Sequence, residues 1–343
     1  MGWTVWHDRL HRRLLRQPDW VPPGSRLLLA LSGGQDSMAL LALLRDLQPL
    51  HRWHLHLWHG DHGWHPGSAA IAGELEAWCT RNGMTLLHSQ ATRAETGSEH
   101  NARQWRYREL AAWSEQLSQL HPHSPCRLVI TAHTASDRAE TLLLQLARGT
   151  DLAGLGGQRR QRSLVECGEQ RLIRPLVDFS RTDTANICRD LALPVWQDPS
   201  NDDPSHGRNR IRAEVLPVLE NLHPGCSQRI AALAERVAGL QDNQSTLLDL
   251  ALRGLLQTDS PSPAATDRLP RRPLAAQPED IRRNLLAHWL RQNGAPTITS
   301  ARLAELAQAI RPGAGAAGRD LPAGWRIHWN AQSVQLRQGK DLP

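Results

Sequence analysis

Residues 27–44 read LLLALSGGQDSMALLALL, and this stretch decides the fold of the chain. Its first five residues form a short apolar run with the length of a buried parallel strand. A polar, glycine-containing segment follows, and apolar side chains then recur at helical spacing at Met38, Leu41 and Leu44. The stretch therefore predicts a buried strand that passes through a tight turn into a helix.

The turn itself has the composition of a pyrophosphate site. Gly33 and Gly34 let backbone N–H groups converge, and the N-terminus of the following helix adds partial positive charge. Ser32 and Ser37 add hydroxyl donors, and Asp36 can hold a cation beside the phosphates. The turn is not the P-loop of GTPases, because no Gly-Lys-Ser/Thr follows it.

Composition limits the classes of function. The chain has 343 residues, a net charge of +6 and a pI of about 9.7, which suits two domains and a polyanionic partner such as RNA. A basic enzyme without an RNA partner would have the same charge. Its one lysine, Lys340, lies beside the C-terminus. A Walker lysine, a pyridoxal Schiff base and a lysyl-adenylate are therefore excluded.

The cysteines indicate a reducing compartment. There are five, an odd number, and no two form a C-x-x-C pair, which argues against disulfides, zinc and iron–sulfur clusters. Charged residues interrupt every apolar run in residues 1–20, so we expect no signal peptide and no membrane partner. We expect a cytoplasmic protein, and the sequence leaves its oligomeric state open, a homodimer included.

Strand and helix patterns alternate after the turn. Further strands are predicted at residues 53–58, 84–87, 127–131 and 172–176, with helical patterns between them. This alternation predicts an α/β fold with a doubly wound parallel sheet over residues 1–212. Ligands of such sheets lie outside the carboxyl ends of the strands.

Residues 213–343 are expected to form a smaller, mostly helical domain, to which the family resemblance described below assigns tRNA binding. Residues 325–329 and 334–336 are predicted to pair as a hairpin near its end. The Ser-, Pro- and Ala-rich residues 258–278 are expected to be surface loop or disorder.

The sequence SGGQDS resembles the SGGxDS loop of the N-type ATP pyrophosphatases, which have an adenine nucleotide α-hydrolase-like fold. These enzymes cleave ATP to AMP and pyrophosphate while adenylating a carbonyl oxygen. The resemblance implies that the loop binds ATP and that Asp36 holds Mg²⁺. The ATP-binding residues that it implies are Ser32, Gly33, Gly34, Gln35, Asp36 and Ser37.

Further motifs resemble the tRNA(Ile)-lysidine synthetases of this superfamily. Asp61-His62-Gly63, followed by Ser68, resembles DHGxRxxS with His65 in the usual arginine position, and implies that His62 and Gly63 contact ATP. A histidine-rich metal site over residues 54–65 is an alternative.

Glu99, Arg103, Arg106 and Tyr107 match the family pattern ExxxRxxRY. Arg103 and Arg106 share one helical face, so both could contact phosphates of nucleotide or RNA. A solvated helix face, with Glu99 pairing Arg103, is the alternative.

A fourth motif, AHTASDRAET, resembles AHxxDDQxET. Asp137 and Glu140 fall on one side of the first turn of a helix, where a carboxylate pair can bind an amine or Mg²⁺ and can help to deprotonate an attacking ammonium. The resemblance implies that these two residues hold lysine. His133 is implied to stabilise charge on the reacting phosphate. Ser136 and Arg138 depart from the pattern. A plain helix start capped by Ser136 is the alternative.

Two final matches extend the resemblance. LIRPL at residues 172–176 matches a family strand, with Arg174 expected to point to solvent or substrate. Residues 198–212 resemble DPSNxDxxYxRNxxR with His206 in place of Tyr, and imply RNA contacts by Arg208, Asn209 and Arg212. A basic linker is the alternative.

The family implies one reaction. ATP adenylates the O2 carbonyl of the wobble cytidine of tRNA(Ile) with a CAU anticodon, and the amine of L-lysine then displaces AMP. Asp36, His133, Asp137 and Glu140 are the implied catalytic residues. A tRNA 2-thiocytidine thiolase, which would need paired cysteines, and an RNA-binding protein with a degenerate ATP site are the alternatives. Amidotransferase relatives would need an N-terminal cysteine, which is missing.

Overall fold

The computed structural model describes residues 2–64, 67–92, 95–150, 152–165, 168–197, 207–256 and 267–339. The chain divides into two compact units, Met1–Ala238 and Gly239–Pro343. No helix in the described ranges is both long and apolar enough to cross a membrane.

In its described residues, the first unit contains six strands and most of the helices. The strands are β1 (Arg26–Ala30), β2 (His54–Asp61), β3 (Leu86–Gln90), β4 (Leu128–Ile130), β5 (Gln161–Ser163) and β6 (Arg171–Ile173). The helices are α1 (Val5–Arg16), α2 (Gln35–His51), α3 (Ser68–Arg81), α4 (Glu99–Leu120), α5 (Ala135–Ala147), α6 (Leu152–Leu155), α7 (Arg181–Asp190), α8 (Gly207–Arg210) and α9 (Leu216–Leu222). A π-helical segment, Ile211–Val215, joins α8 to α9, and α10 (Cys226–Leu256) continues into the second unit.

The sheet has the strand order β3-β2-β1-β4-β6-β5. All neighbours are parallel except β5, which pairs antiparallel with β6 at one edge. Helices connect the parallel strands, so the predicted doubly wound parallel sheet is confirmed.

Strand β1 is central and buried on both faces. Leu27, Leu28 and Leu29 are completely inaccessible to solvent. Because successive strand residues face opposite ways, Leu27 and Leu29 pack in one core with α2, while Leu28 packs in another with Trp58 and Trp105. This burial on both faces explains why β1 reads as an unbroken apolar run.

The second unit combines helices with a small antiparallel sheet. Its elements are β7 (Arg268–Pro270), α11 (Arg271–Ala275), α12 (Glu279–Gln292), α13 (Ser300–Ala309), β8 (Ala317–Asp320), β9 (Trp325–Trp329) and β10 (Ser333–Gln338). The strand order is β7-β10-β9-β8. The predicted hairpin is confirmed as β9 and β10, and two further strands extend it.

One expectation for this unit is wrong. Residues 268–278 were expected to be loop or disorder, yet they contain β7 and α11, with Leu269 and Leu274 completely buried. Strand β7 has three residues and ends in Pro270, so it is too short for a periodic pattern, and proline is tolerated there because β7 is an edge strand. Residues 258–266 lie outside the described residues.

Two glycine substitutions test the packing of the first unit in opposite directions. A Cβ on Gly60 in β2 would lie 2.9 Å from Cζ2 of Trp58 and 3.0 Å from Cζ3 of Trp105, both buried. We expect Gly60→Ala to lower the free energy of unfolding by about 1–3 kcal/mol.

Gly73 lies inside α3 with open space around it, so Gly73→Ala should raise the free energy of unfolding by about 0.5–1 kcal/mol. Urea unfolding measures both, and shifts of the same sign would contradict this packing.

Candidate active site

A cavity of about 380 Å³ lies at the carboxyl ends of β1, β2 and β4. Most of the residues singled out from the sequence line it. From the turn after β1 these are Ser32, Gly34, Gln35, Asp36 and Ser37. From elsewhere in the first unit they are His62, Gly63, Arg106, His133, Asp137, Arg208, Asn209 and Arg212. The parallel sheet thus brings together residues that are up to 180 positions apart, from Ser32 to Arg212.

Four of the predicted residues are not part of this lining: Gly33, Arg103, Glu140 and Arg174. Residues 198–206, which carry the DPSNDD part of the last motif, lie outside the described residues. His65 lies outside them as well.

The turn after β1 is held by its own serines. Ser37 Oγ donates to the Gly34 carbonyl at 2.8 Å, and Ser32 Oγ donates to Ser37 Oγ at 3.1 Å. The Gly34 N–H lies 3.3 Å from Ser32 Oγ. Gly34 precedes α2 with no side-chain cap, so the N-terminus of α2 faces the cavity with N–H groups available to an anion.

Gly33 is required for its conformation and for a close neighbour. Its φ is +82°, in the left-handed region that favours glycine. A Cβ there would lie 3.3 Å from the indole of Trp196, and the backbone N–H of Trp196 donates to the Gly33 carbonyl at 3.0 Å. Trp196 also lines the cavity and donates from Nε1 to Glu74 at 2.8 Å. Sequence reasoning missed it because nothing distinguishes it among thirteen tryptophans.

Asp36 is a partly buried acid with a contact from α7. Burial and the negative charge of Asp137 raise the pKa of Asp36 to about 6. Thr184 Oγ1 donates to Asp36 Oδ1 at 2.5 Å, and this hydrogen bond opposes the rise. Gln35 directs its amide to the Arg181 carbonyl and to Thr184 at 2.7 and 2.8 Å. Thr184, which no motif marks, therefore positions two residues of the turn.

The donor set at Asp36 fits Mg²⁺ better than a transition metal. Mg²⁺ is commonly bound by one or two carboxylates together with water and substrate phosphates, and Asp36 supplies one carboxylate beside the turn. Within the described ranges there is no group of three or more His, Cys, Asp and Glu side chains that could hold a metal.

The histidines of β2 contact separate partners. His56 lies 2.7 Å from Arg26, and His59 lies 2.8 Å from the Leu31 carbonyl. Burial lowers the pKa of both, that of His56 to about 4. The structure therefore gives the alternative of a histidine metal site no support in the part of the chain that it describes.

His62 is held at the rim of the cavity by α4. Its Nε2 lies 3.0 Å from Nη2 of Arg106, and its ring packs edge-on against Trp105. Asp61 turns the chain here, because its Oδ1 accepts from the Gly63 N–H at 2.8 Å. Asp61-His62-Gly63 and Arg106 thus form a wall of the cavity that carries one guanidinium group.

His133 is neutral at physiological pH. Burial and the nearby charge of Arg174 lower its pKa well below the usual value, outweighing Asp137. Its Nδ1 lies 2.9 Å from Thr131 Oγ1. A neutral imidazole offers a hydrogen bond to a ligand and not a full positive charge.

Thr134, and not Ser136, caps α5. Thr134 accepts from the Asp137 N–H, and Asp137 Oδ2 accepts from the Thr134 N–H at 2.7 Å, which completes a capping box. The alternative that Ser136 caps this helix is therefore wrong. Ser136 Oγ instead accepts from the Arg181 N–H at 3.1 Å, and so connects α5 to α7.

Asp137 and Glu140 are engaged by the arginines that were assigned to RNA. Arg208 donates to Asp137 Oδ1 and Glu140 Oε2, both at 2.8 Å. Arg212 donates to Glu140 at 2.7 and 2.9 Å. Burial opposes ionisation of Asp137, but the positive charge of Arg208 is the strongest of the influences that lower its pKa to about 2. Glu140 is 1% exposed, so the four side chains form a largely buried network.

A second cluster of arginines surrounds Tyr107 on α4. Arg103 and Arg162 lie 5.2 and 4.6 Å from its ring centre. Burial opposes ionisation of this phenol, but the arginines outweigh it and lower the pKa of Tyr107 to about 8.

The expectation that Arg174 points to solvent or substrate is wrong, because its side chain is 1% exposed and donates to the Arg159 carbonyl.

The buried network predicts a large stability effect at Glu140. Removing this carboxylate leaves Arg208 and Arg212 without their main partner, so we expect Glu140→Ala to lower the free energy of unfolding by about 2–4 kcal/mol. Glu214 pairs with Arg210 in the same segment but is 54% exposed, and Glu214→Ala should change stability only slightly. Chemical denaturation compares the two; equal effects would show that the Glu140 network does not stabilise the fold.

Comparison with known families divides the chain in two. The family model described as a PP-loop domain matches residues 8–219. The model described as a TilS substrate binding domain matches residues 269–340.

Named relatives cover almost the whole chain. It is 51% identical over 339 residues to the tRNA(Ile)-lysidine synthase of Parasynechococcus marenigrum, covering 98% of this chain and 96% of that one. It is 43% identical over 334 residues to the tRNA(Ile)-lysidine synthase of Prochlorococcus marinus, covering 97% and 96%.

Among solved structures, the U34-tRNA thiolase NcsA from Methanococcus maripaludis is similar in fold. The TM-score is 0.53 at 16% identity, over 68% of this chain and 79% of that chain. At this identity the likeness concerns the fold alone.

Proposed function

We infer the function from the family, because this chain belongs to the tRNA(Ile)-lysidine synthases. We propose that it ligates L-lysine to the wobble cytidine of tRNA(Ile) with a CAU anticodon, converting ATP to AMP and pyrophosphate. The observation that carries the proposal is the single cavity in which the SGGQDS turn, His133 and the Arg208–Arg212 segment meet. We further propose that the protein acts in the cytoplasm.

In the first step, the cytidine O2 attacks the α-phosphorus of ATP and the bond to the β-phosphate oxygen breaks. The departing pyrophosphate accepts hydrogen bonds from the turn and from the N-terminus of α2. His133 serves the α-phosphate as a neutral hydrogen-bond donor, in keeping with its lowered pKa. Asp36 would hold Mg²⁺, which supplies charge neutralisation to the phosphates when bound.

In the second step, the lysine amine attacks C2 of the adenylated base and AMP leaves. The amine must first lose a proton, which passes to solvent water. Beside Arg208 the pKa of Asp137 is about 2, and a lysine ammonium that took the place of the arginine would also hold this pKa low, so Asp137 is too weak a base for that transfer and we revise its part. We propose that Asp137 and Glu140 bind the positively charged substrate and do not deprotonate it.

Lysine binding then requires an exchange of cations. Arg208 and Arg212 occupy the oxygens of both carboxylates. Both guanidinium groups also line the cavity, where RNA phosphates would offer them another anionic partner. We propose that the phosphates draw these arginines from the carboxylates and that the lysine ammonium takes their place.

The cysteines give little support to the alternative that the protein is a thiolase of the same superfamily. Cys79, Cys126 and Cys188 are buried, and burial raises their pKa values to about 11, 12 and 11. A sulfur-carrying cysteine needs an accessible thiolate. Cys226 is partly exposed, and Cys167 lies outside the described residues.

The main test mixes purified protein with ATP, labelled lysine and a tRNA(Ile) transcript, and follows RNA-bound label together with AMP. We expect both products in equal amounts, and only when all three substrates are present. A transcript whose wobble cytidine is replaced by uridine should receive no label. Tight tRNA binding without AMP or label would instead favour a non-catalytic RNA-binding protein.

The Asp36→Asn variant should lose AMP formation and gain stability. In the folded state the pKa of Asp36 is raised from 3.8 to about 6, so the folded protein binds this proton more tightly than the unfolded chain does. Above pH 6, keeping the carboxyl group ionised therefore lowers the free energy of unfolding by about 3 kcal/mol. Asparagine removes that cost, so without Mg²⁺ the variant should exceed wild type in stability at pH 7.5 by up to this amount. The difference should shrink as the pH falls from 6 towards 4. Thermal melts across pH measure it, and a less stable inactive variant would contradict the assignment.

The Arg212→Ala variant tests the cation exchange. Without tRNA, lysine should bind this variant more tightly than wild type, because one competing guanidinium is gone. Binding of tRNA should weaken several-fold, since a phosphate contact is lost. Calorimetric titration with lysine and with tRNA measures each effect. Arg210→Ala, an exposed neighbour paired with Glu214, is the control and should leave lysine binding unchanged. Weaker lysine binding to Arg212→Ala would contradict the exchange.

A further inference from the structure

The helix whose carboxylates are proposed to bind lysine, α5, has a second charged contact. Arg208 and Arg212 hold these carboxylates from α8 and the π-helical segment. Arg138, also in α5, has its Nη1 2.5 Å from Oε2 of Glu235 in α10. Consecutive helix residues do not face the same way, so this ion pair leaves α5 on another side from Asp137. In the first contact α5 supplies the negative charge, and in the second it supplies the positive charge.

The position of Glu235 is fixed without Arg138. Its Oε1 accepts from Arg160 Nε at 2.7 Å, and Arg160 donates two further hydrogen bonds to the carboxylate of Asp178, both at 2.7 Å. The turns of α10 around Glu235 also bury small residues: Ser227, Ala231, Ala234 and Ala238. All of these residues lie in the first unit, so Glu235 offers α5 a carboxylate in a fixed place.

Arg138 depends on this carboxylate. Its side chain is 1% exposed, and among the described residues its Nε and Nη2 have no hydrogen-bond partner. Burial lowers the pKa of this guanidinium, and the charge of Glu235 is the strongest influence that opposes the shift. A buried charge that loses its partner is strongly unfavourable, so the folded protein keeps Arg138 beside Glu235.

Both departures from the family pattern in α5 connect this helix to a neighbour. The pattern AHxxDDQxET has an aspartate and a glutamine where this chain has Ser136 and Arg138. Ser136 connects α5 to α7 through the Arg181 N–H, and Arg138 connects it to α10. The two substituted positions therefore anchor α5 to two neighbouring helices.

The contact with Glu235 does not involve the substrates. Arg208 and Arg212 line the cavity, whereas Arg138 and Glu235 are not part of its lining. In the proposed exchange, RNA phosphates draw the first two arginines away, and α5 then loses the ion pairs that hold its carboxylates. Phosphates in the cavity do not compete for Arg138, so its ion pair remains while the lysine site is open.

We propose that Arg138 is a positioning residue for lysine binding. Its ion pair with Glu235 keeps the first turns of α5 in place after the arginines of the cavity have left, so that Asp137 and Glu140 keep the spacing that binds the ammonium group. The proposal rests on the proposed function for the identity of the ligand. Arg138 acts through the carboxylates of its own helix and touches no substrate.

The first test measures lysine use by Arg138→Met in the full chain. Methionine fills part of the space of the arginine side chain and leaves Glu235 paired with Arg160, so no buried charge is left alone. At saturating ATP and tRNA we expect KM for lysine to rise at least about five-fold, with kcat within about two-fold of wild type. Pyrophosphate release without lysine, which reports the first step, should change less than about two-fold.

Two further variants separate position from stability. Arg138→Lys keeps the charge, and an ammonium can replace a guanidinium that meets Glu235 through Nη1, so KM for lysine should stay within about two-fold of wild type. Arg282→Met also removes a buried guanidinium, but one in the second unit that donates to the carbonyls of Ala307 and Ala275. This control should lose stability while KM for lysine at saturating tRNA stays unchanged.

The second test needs neither turnover nor RNA. Hydrogen exchange of the amides of α5 compares wild type, Arg138→Met, Arg212→Ala and the double variant. Each single variant keeps one of the two charged contacts on α5, so its amides should stay protected. In the double variant both contacts are weakened, and exchange should exceed the product of the two single effects by at least about ten-fold.

Two results would overturn the proposal. Purely additive effects in the double variant would show that the two contacts on α5 act independently. Equal rises of KM for lysine in Arg138→Met and Arg282→Met would show that only stability matters. Failure of the proposed function would look different: if wild type attached no lysine but the double variant lost protection of α5 as described, the anchoring role of Arg138 would stand and lysine as the ligand would fall.

Discussion

The position of β1 in the middle of a parallel sheet is the constraint on which the catalytic unit depends. Its leucines are buried on both faces, which fixes the strand and the turn that follows it. Parallel pairing with β2 and β4 then forces the ends of all three strands to one edge. The residues of three separate motifs meet there because the strands run in the same direction.

The cavity gives similar groups opposite ionisation behaviour. Asp36 has a raised pKa because it is buried beside another carboxylate, while Asp137 has a lowered pKa because arginines surround it. His133 is kept neutral by burial and by the same positive charges. One acid is thus poised to ionise when a cation approaches, and the other is charged at every physiological pH. Keeping these side chains close together in the folded protein lowers its stability, as is common at functional sites.

Arginines serve at least two purposes in this protein, and net charge cannot distinguish them. Arg282 is buried and donates to the carbonyls of Ala307 and Ala275, where it joins the ends of helices. Arg271 donates to the Asn330 carbonyl at 2.8 Å and supports the turn between β9 and β10. Arg174 is buried in the same way in the first unit. Only the exposed and cavity-lining arginines remain for RNA, so the basic composition overstates the binding surface.

The sequence by itself determined the parallel sheet, the turn after β1 and the family. Each follows from local signals: an apolar run, a glycine turn and residues at fixed spacing. Tertiary structure alone decided how the charged residues pair. Asp137, Glu140, Arg208 and Arg212 were assigned to two different substrates, yet they bond to one another because α5 and α8 pack together. Thr184 and Trp196 reach the turn from more than 140 residues away, and Arg174 is buried by its neighbours. Contacts across such distances leave no periodic or spacing signal along the chain, because they arise only when the elements pack.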